Sequence, residues 1–406
     1  MSTTANTTRA GTPYTIVSAD CHAGASHETY RTYLDPKYLD DFDAWRAKYK
    51  NPFRDLQGGD RDRNWNSERR IAELEDDGIV GEVIFPNTVP PFFPSMALLA
   101  RPPSPDDFEL RLAGVRAHNR WLADWCAEYP ERRAGIGQIF LNDVDEAIAD
   151  VRWIKEHNLR GGILIPAVPP DAKHIDPLYS ERYDPLWAEC QELGVVINSH
   201  SGSGQPDYGK HLAVPFVMLT EIPFFTHRTL VHMLVSGVFE RFAGLKFVLT
   251  EQGASWIPST LKQLDGFHHE MTRTGRIGEL RFDVENMLPR LPSEYFARNC
   301  WVGASFPSPT EVAVLPTIGL DRFMWGSDYP HKEGTYPYTR ESLRRSFATM
   351  PEADLRKVFA ENIAAVYDFD LAKLDPIAAN VGPTPAEIAV PLDEVPADSV
   401  SPAFTR

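Results

Sequence analysis

Short runs of β-branched and apolar residues alternate with longer amphipathic stretches along this chain, a rhythm that predicts parallel strands joined by crossover helices. Eight such runs stand out: Tyr14–Ser18, Glu82–Phe85, Ala134–Phe140, Gly162–Ile165, Val195–Ser199, Lys246–Thr250, Trp301–Gly303 and Arg322–Trp325. Between them, Leu110–Tyr129, Asp145–His157, Tyr183–Leu193 and Glu221–Phe242 carry apolar positions at helical spacing and are long enough to form an outer ring. Eight strand-plus-helix units predict an α/β fold of the (β/α)8 TIM-barrel class, for which ~250 residues is typical and longer chains carry insertions.

Two stretches break the rhythm. Arg31–Trp65 and Gly204–Pro215 are rich in aromatics, Pro and Gly and follow the first and fifth strands, where they are expected to act as lid or pocket loops. Beyond Asp375 the chain shifts to Pro, Ala and acidic residues with little periodicity. The expected organisation is a disordered arm at 1–13, a catalytic barrel at 14–374, and a tail at 375–406 that wraps the surface or a partner subunit or stays disordered.

Composition narrows the function classes. The 41 basic residues against 57 acidic ones leave a net charge of −16, and no Lys/Arg cluster offers a polyphosphate track, so nucleic acid is not an expected partner. The polar opening MSTTANTTRAGT lacks the apolar core of a signal peptide, and no membrane-length apolar run follows. Neither export nor a membrane partner is expected. Cys21, Cys126, Cys190 and Cys300 form no CxxC pair, which points to a reduced, cytoplasmic protein.

The chemistry gathers where the predicted strands end, the face on which barrel active sites sit. The first run leads into Asp20-Cys21-His22, where strand alternation aims Asp20 and His22 one way and Cys21 the other. The fifth runs into His200, the sixth into Glu251, and the eighth, through Gly326, into Asp328. Each motif is ordinary by itself; together they present ligand or acid/base groups on four strands of one rim. Two imidazoles with two carboxylates suit one divalent ion, Zn²⁺ or Mn²⁺, with Asp20, His22, His200 and Asp328 as ligands. Asp328, Glu251 and His200 are the catalytic candidates.

At this point the chain resembles the amidohydrolase superfamily of metal-dependent hydrolase-type barrels, in the branch of aminocarboxymuconate-semialdehyde and γ-resorcylate decarboxylases. The resemblance spans roughly Thr15 to Tyr367 and rests on SADCH at 18–22, DDGIVGEVIFP at 76–86, YDPLWAECQELGVVINSHSG at 183–202, GVFERFAGLKFVLTEQGASWIP at 237–258, WGSDYPH at 325–331 and ENIAAVY at 361–367. It implies that Asp20 and His22 are a shortened form of the family's ExH opening, that His200 is the strand-five ligand, and that Asp328 is a ligand able to accept a proton. Where the decarboxylases carry a strand-six His, this chain has Glu251, which leaves that residue open between acid/base and extra ligand. The fourth run, GGILIP, has no lysine to become a carbamate bridge, so the resemblance favours a mononuclear site.

Further substrate-binding candidates are His331 and Glu333 after Asp328, His174 after run four, His227 and Arg228 in a long helix, and Arg54, Arg61 and Arg63 in the first insertion as a carboxylate clamp. Trp65, Phe92, Phe93 and Trp256 are candidate pocket walls. The leading expectation is nonoxidative decarboxylation of a small aromatic or enol-type acid, motivated by the carboxylate-x-His opening and the missing lysine. The alternatives are metal-dependent hydrolysis of an amide, lactone or ester, and a barrel that only binds. A homodimer is expected from symmetry preferences and from the resemblance.

Overall fold

The computed structural model describes residues 11–50 and 58–404. Eight strands form a single sheet: β1 (Val17–Ala23), β2 (Gly81–Pro86), β3 (Arg133–Gln138), β4 (Gly162–Leu164), β5 (Ile197–His200), β6 (Phe247–Thr250), β7 (Cys300–Ser305) and β8 (Phe323–Gly326). They lie in chain order and every neighbouring pair is parallel. The ring closes just past β8, where Asp328 N–H donates to the Asp20 carbonyl at 2.8 Å and His22 N–H donates to that of Tyr329 at 2.7 Å. Gly326 permits that closure: a Cβ there would stand 2.8 Å from the Asp20 Cβ and 3.1 Å from its N. The chain is a (β/α)8 barrel.

All eight predicted strands are present, and the largest displacement is in the first. It was expected at Tyr14–Ser18 and runs Val17–Ala23, with all seven residues buried. The polar Asp20 and His22 end the local apolar pattern, but closure gives β1 a partner on both sides, so the ladder continues through them with an irregularity between Ser18 and Cys21. The seventh strand likewise extends past Gly303 to Ser305.

Packing follows the strand period of two. Val17, Ala19, Val83, Phe85, Ala134, Ile136, Val248 and Met324 form one cluster, joined from below by Tyr367 of the helix Asn362–Tyr367. The Tyr367 hydroxyl donates to Asn198 Oδ1 at 2.7 Å, so this floor is bonded as well as packed. Cys21, Ile84, Leu122, Ile154 and Trp187 belong to a second cluster between strands and helices. The helices Phe108–Ala127, Val144–Glu156 and Asp184–Leu193 match the amphipathic stretches. The stretch read as one helix over Glu221–Phe242 instead begins at Val214, ends at Val235, and is followed by a separate turn, Val238–Arg241. Gly237, with φ 77°, breaks it.

The first insertion is not a plain loop: it carries helices at His27–Tyr33 and Leu39–Lys48 and a 3-10 segment at Gly58–Asn64. Near the end of the chain a helix over Leu371–Val381 crosses the composition change at Asp375. Beyond it, Arg344 donates to the Val390 carbonyl, Tyr338 to Asp398, and Ala403 and Phe404 are buried, so this segment lies along the helix Thr339–Phe347. Among the described residues no helix is long and apolar enough to cross a membrane.

Candidate metal centre

The four proposed ligands converge. Asp20 Oδ1 lies 3.3 Å from His22 Nε2 and 3.5 Å from His200 Nε2, and His22 Nε2 lies 3.1 Å from Asp328 Oδ1. All four side chains are buried. Asp20 Oδ1, His22 Nε2, His200 Nε2 and Asp328 Oδ2 are each without a hydrogen-bond partner among the described residues. One orphaned atom from each of four converging side chains is costly unless something else satisfies them, because a buried polar atom left unpaired loses its hydration.

The remaining bonds say what that something is. His22 Nδ1 faces the Pro86 carbonyl at 3.3 Å and His200 Nδ1 faces the Ser201 carbonyl at 3.0 Å. A carbonyl only accepts, so both Nδ1 atoms carry the proton and both Nε2 atoms turn a lone pair inward. Two lone pairs and the Asp20 oxygen are a donor set for a cation: Asp20, His22 and His200 offer atoms all within 4.8 Å of one another, and Asp328 adjoins them through His22. The residues fit a divalent metal.

Charge is arranged to the same end. Without a bound cation, burial alone would raise the pKa of Asp20, yet a protonated His22 beside it, with His200, holds it well below the usual carboxylate range, a role a bound cation would take over from the imidazoles. Burial likewise opposes charge on Asp328, and His331 and His22 hold it down. Glu251 goes the other way: burial first, then the negative charges of Asp328 and Asp20, push its pKa up to about 8. Its Oε2 is 3.4 Å from His200 Nδ1. The site thus sets two carboxylates whose pKa is held down beside a third whose pKa is pushed up.

Backbone geometry aims these groups. Glu251 (φ 54°) and Asp328 (φ 61°) lie just beyond β6 and β8 in the left-handed region, which costs a non-glycine residue roughly 1–2 kcal/mol. Arg70, fully buried, pairs with Glu82 at 2.6 Å and donates to the His22 carbonyl at 2.8 Å, bracing β1 directly under its ligand.

The other expected residues divide. His331 Nδ1 lies 2.9 Å from Asp328 Oδ1 and its Nε2 lies 3.1 Å from Asn87 Oδ1, so it orients a proposed ligand. Glu333 is exposed but offers an oxygen to a group with Glu251 and Asp328. His227 stacks on Trp256 at 3.6 Å, and both point a ring N–H side at the carbonyl of Gln252, the residue after Glu251. His174 is not brought in: it is exposed, with Nε2 at the Pro103 carbonyl, because the loop after β4 turns outward there. Nor is Arg228, whose guanidinium lies over Phe225 on its own helix. Arg63 is committed to Glu73 and Asp60, Arg61 is exposed, and Arg54 lies outside the described residues.

Two partners escaped the sequence reading. Ser305, at the end of β7, donates a short hydrogen bond to Asp20 Oδ2, and Asn87, after β2, holds His331. Carrying the seventh run two residues further would have exposed Ser305 as a polar group at a strand end.

Comparison with known proteins bears on the same residues. The Amidohydrolase family model matches residues 19–369, a span containing every strand end described above. The chain belongs to the amidohydrolase family. Within this family it is similar to a γ-resorcylate decarboxylase of Rhodococcus jostii (strain RHA1), 28% identical over 270 residues that cover 63% of this chain and 77% of the relative. It is also similar to the 2-amino-3-carboxymuconate-6-semialdehyde decarboxylase of Dictyostelium discoideum, 24% identical over 66% of this chain and 68% of that one. Among solved structures, the 5-carboxyvanillate decarboxylase of Novosphingobium aromaticivorans, complexed with manganese and 4-hydroxy-3-methoxy-5-nitrobenzoic acid, superposes with a TM-score of 0.63. That match is 20% identical and covers 87% of this chain and 96% of the other, a likeness of fold.

Proposed function

We propose that this amidohydrolase-family chain holds one divalent metal ion through Asp20, His22, His200 and Asp328 and removes CO₂, without oxidation, from a small aromatic or enol-type carboxylic acid. The observation that carries the reading is that four clustered side chains each bury a ligand-type atom with no hydrogen-bond partner among the described residues. Relatives named as decarboxylases support the reaction class, and the manganese in a structural neighbour, with two carboxylates in the donor set here, favours Mn²⁺ over Zn²⁺.

Asp20, His22, His200 and Asp328 would hold the cation, which would supply positive charge to offset the negative charge left on the substrate as CO₂ departs. The chain's own residues do the rest. Asp328, kept ionised and oriented by His331, serves as ligand. Glu251, whose carboxyl pKa burial pushes up, holds the proton the substrate carbon needs. As the carbon–carboxylate bond breaks, its electron pair stays on that carbon, CO₂ departs, and the proton moves from Glu251 to carbon; solvent then reprotonates Glu251.

The test is incubation of the manganese-loaded protein with a panel of hydroxybenzoates in D₂O. CO₂ release with deuterium entering the product carbon is expected. Stoichiometric metal with no CO₂ from any acid, or solvent ¹⁸O entering product from an amide, lactone or ester, overturns the assignment in favour of hydrolysis.

A homodimer and a reduced, cytoplasmic setting complete the reading. Leu212, Phe216, Leu219 and Phe224, exposed by 91%, 78%, 65% and 64%, lie together on and just before one helix, and such a patch favours self-association. The four cysteines are free and buried, as a reducing compartment allows. Light scattering on the eluting protein reads the mass.

A further inference from the structure

The first insertion comes down beside the end of β1, and there a line of buried side chains runs from it to a proposed ligand. Gly24 N–H donates to the Asn64 carbonyl at 3.1 Å and Asn87 N–H to that of Ala23 at 2.8 Å, so both asparagines have their backbones fixed at the end of the strand. Asn64, Asn87 and His331 are all buried. Asn64 Nδ2 donates to the Arg61 carbonyl at 2.9 Å, Asn87 Nδ2 donates to Asn64 Oδ1 at 2.7 Å, and Asn87 Oδ1 stands 3.1 Å from His331 Nε2. At the far end His331 Nδ1 is 2.9 Å from Asp328 Oδ1, and the His331 ring lies 4.1 Å from that of His22, tilted by 32°.

One fixed end sets the direction of every bond in this line. A main-chain carbonyl only accepts, so the Arg61 carbonyl takes the Nδ2 end of the Asn64 amide and leaves Asn64 Oδ1 to accept from Asn87 Nδ2. That leaves Asn87 Oδ1, also an acceptor, for His331, so Nε2 is a donating nitrogen. The Asp328 carboxylate accepts at the other side of the ring, and His331 is held between two acceptors with its face toward His22. We infer that Asn64 and Asn87 are positioning residues for the metal centre: from the insertion and from the loop after β2 they fix which nitrogen of His331 donates and where, and through that ring they hold Asp328 in place for the ion. This rests on the metal reading of Asp328 and extends it to a segment that contributes no ligand. The insertion then acts on the site through an asparagine, not through the carboxylate clamp its arginines suggested.

Two-bond ¹H–¹⁵N spectra of metal-free protein labelled in its histidines read the donor directly, with the His331 signals assigned from His331→Leu. The wild type is expected to show a protonated His331 Nε2. Asn64→Ala removes the acceptor that orients the Asn87 amide and loses that signature, whereas Asn64→Asp, which gives up the same bond to the Arg61 carbonyl but still accepts from Asn87 Nδ2, retains it. Equilibrium dialysis against buffered Mn²⁺ reads the consequence: Asn87→Leu raises the dissociation constant about 10- to 100-fold, the range for losing a partner that orients a ligand. In a His331→Leu background Asn87→Leu weakens Mn²⁺ no further, because it acts only through that ring. Additive losses in the double variant, or an Nε2 that donates equally in Asn64→Ala, overturn the relay. Should Asn87→Leu fail to fold, the spectra of Asn64→Ala and Asn64→Asp decide it. Mn²⁺ bound alike by wild type and Asn87→Leu removes the relay and leaves the metal reading; a wild type that takes up no Mn²⁺ yet shows an Asn64-dependent Nε2 donor removes the metal reading and keeps the relay.

Discussion

Ser305→Ala isolates the hydrogen bond that holds Asp20 without touching any proposed ligand. Asp20 is fully buried, its Oδ2 accepts from the Ser305 hydroxyl, and its Oδ1 faces the proposed metal position. The substitution removes one oxygen, so it leaves almost no cavity, and its effect is the loss of one buried bond to a charged acceptor, about 1.5–3 kcal/mol. That loss divides between two states. Where Ser305 holds Asp20 equally with and without metal, the loss appears as lower stability of the metal-free protein; where it holds Asp20 more firmly in the metal-bound state, it appears in metal affinity. Removing the partner of a metal ligand typically weakens affinity about 10- to 100-fold, or roughly 1.4–2.7 kcal/mol, which fills most of the same range. The expected result is a manganese dissociation constant raised about tenfold, with the rest of the loss seen as a lower metal-free unfolding midpoint. Equilibrium dialysis against buffered Mn²⁺ gives the first and denaturant titration with chelator the second. A variant with both quantities at wild-type values would refute the claim that Ser305 positions Asp20.

Glu251→Gln is expected to cut kcat by about 10²- to 10⁴-fold while metal content stays stoichiometric; metal loss on purification would make Glu251 a ligand instead of the acid. Asp77, 4% exposed with Oδ2 unpaired among the described residues, is pushed up to about 7 from 3.8 by burial, so its neutral form is the one the fold stabilises. Wild-type stability should therefore fall by on the order of 4 kcal/mol as pH rises from about 4 to 7, and Asp77→Asn should flatten that slope in denaturant titrations; parallel curves would contradict it. Cys21, Cys126, Cys190 and Cys300 are buried, and burial raises each thiol well above its ordinary pKa. Native protein should leave all four unlabelled by a thiolate-selective reagent over minutes, with full labelling in denaturant, and rapid labelling of any one in the native state would show that site open to solvent.

Local pattern carried the architecture because strands and helices report their periods within a few residues. The DxH step at Asp20 and His22, the apolar run into His200, and the Gly326–Asp328 step could be placed on one rim once eight strands were counted. Exact strand ends were less legible: β1 continues through Asp20 and His22 because a neighbour 300 residues away supplies the hydrogen bonds, as in Asp328 N–H to the Asp20 carbonyl. The role of His331 also depended on Asn87, which is 244 positions distant.

By itself, then, the sequence determined the barrel and the kinds of ligand at its mouth, since alternation and residue type are local properties. Tertiary structure alone decided which atoms are left unpaired. Ser305 reaches Asp20 across 285 residues of chain, and Asn64 of the first insertion meets Asn87 although neither stands in a motif of its own. Whether a buried polar atom has a partner depends on what closure of the ring brings beside it, and that distance is written in no segment of the chain.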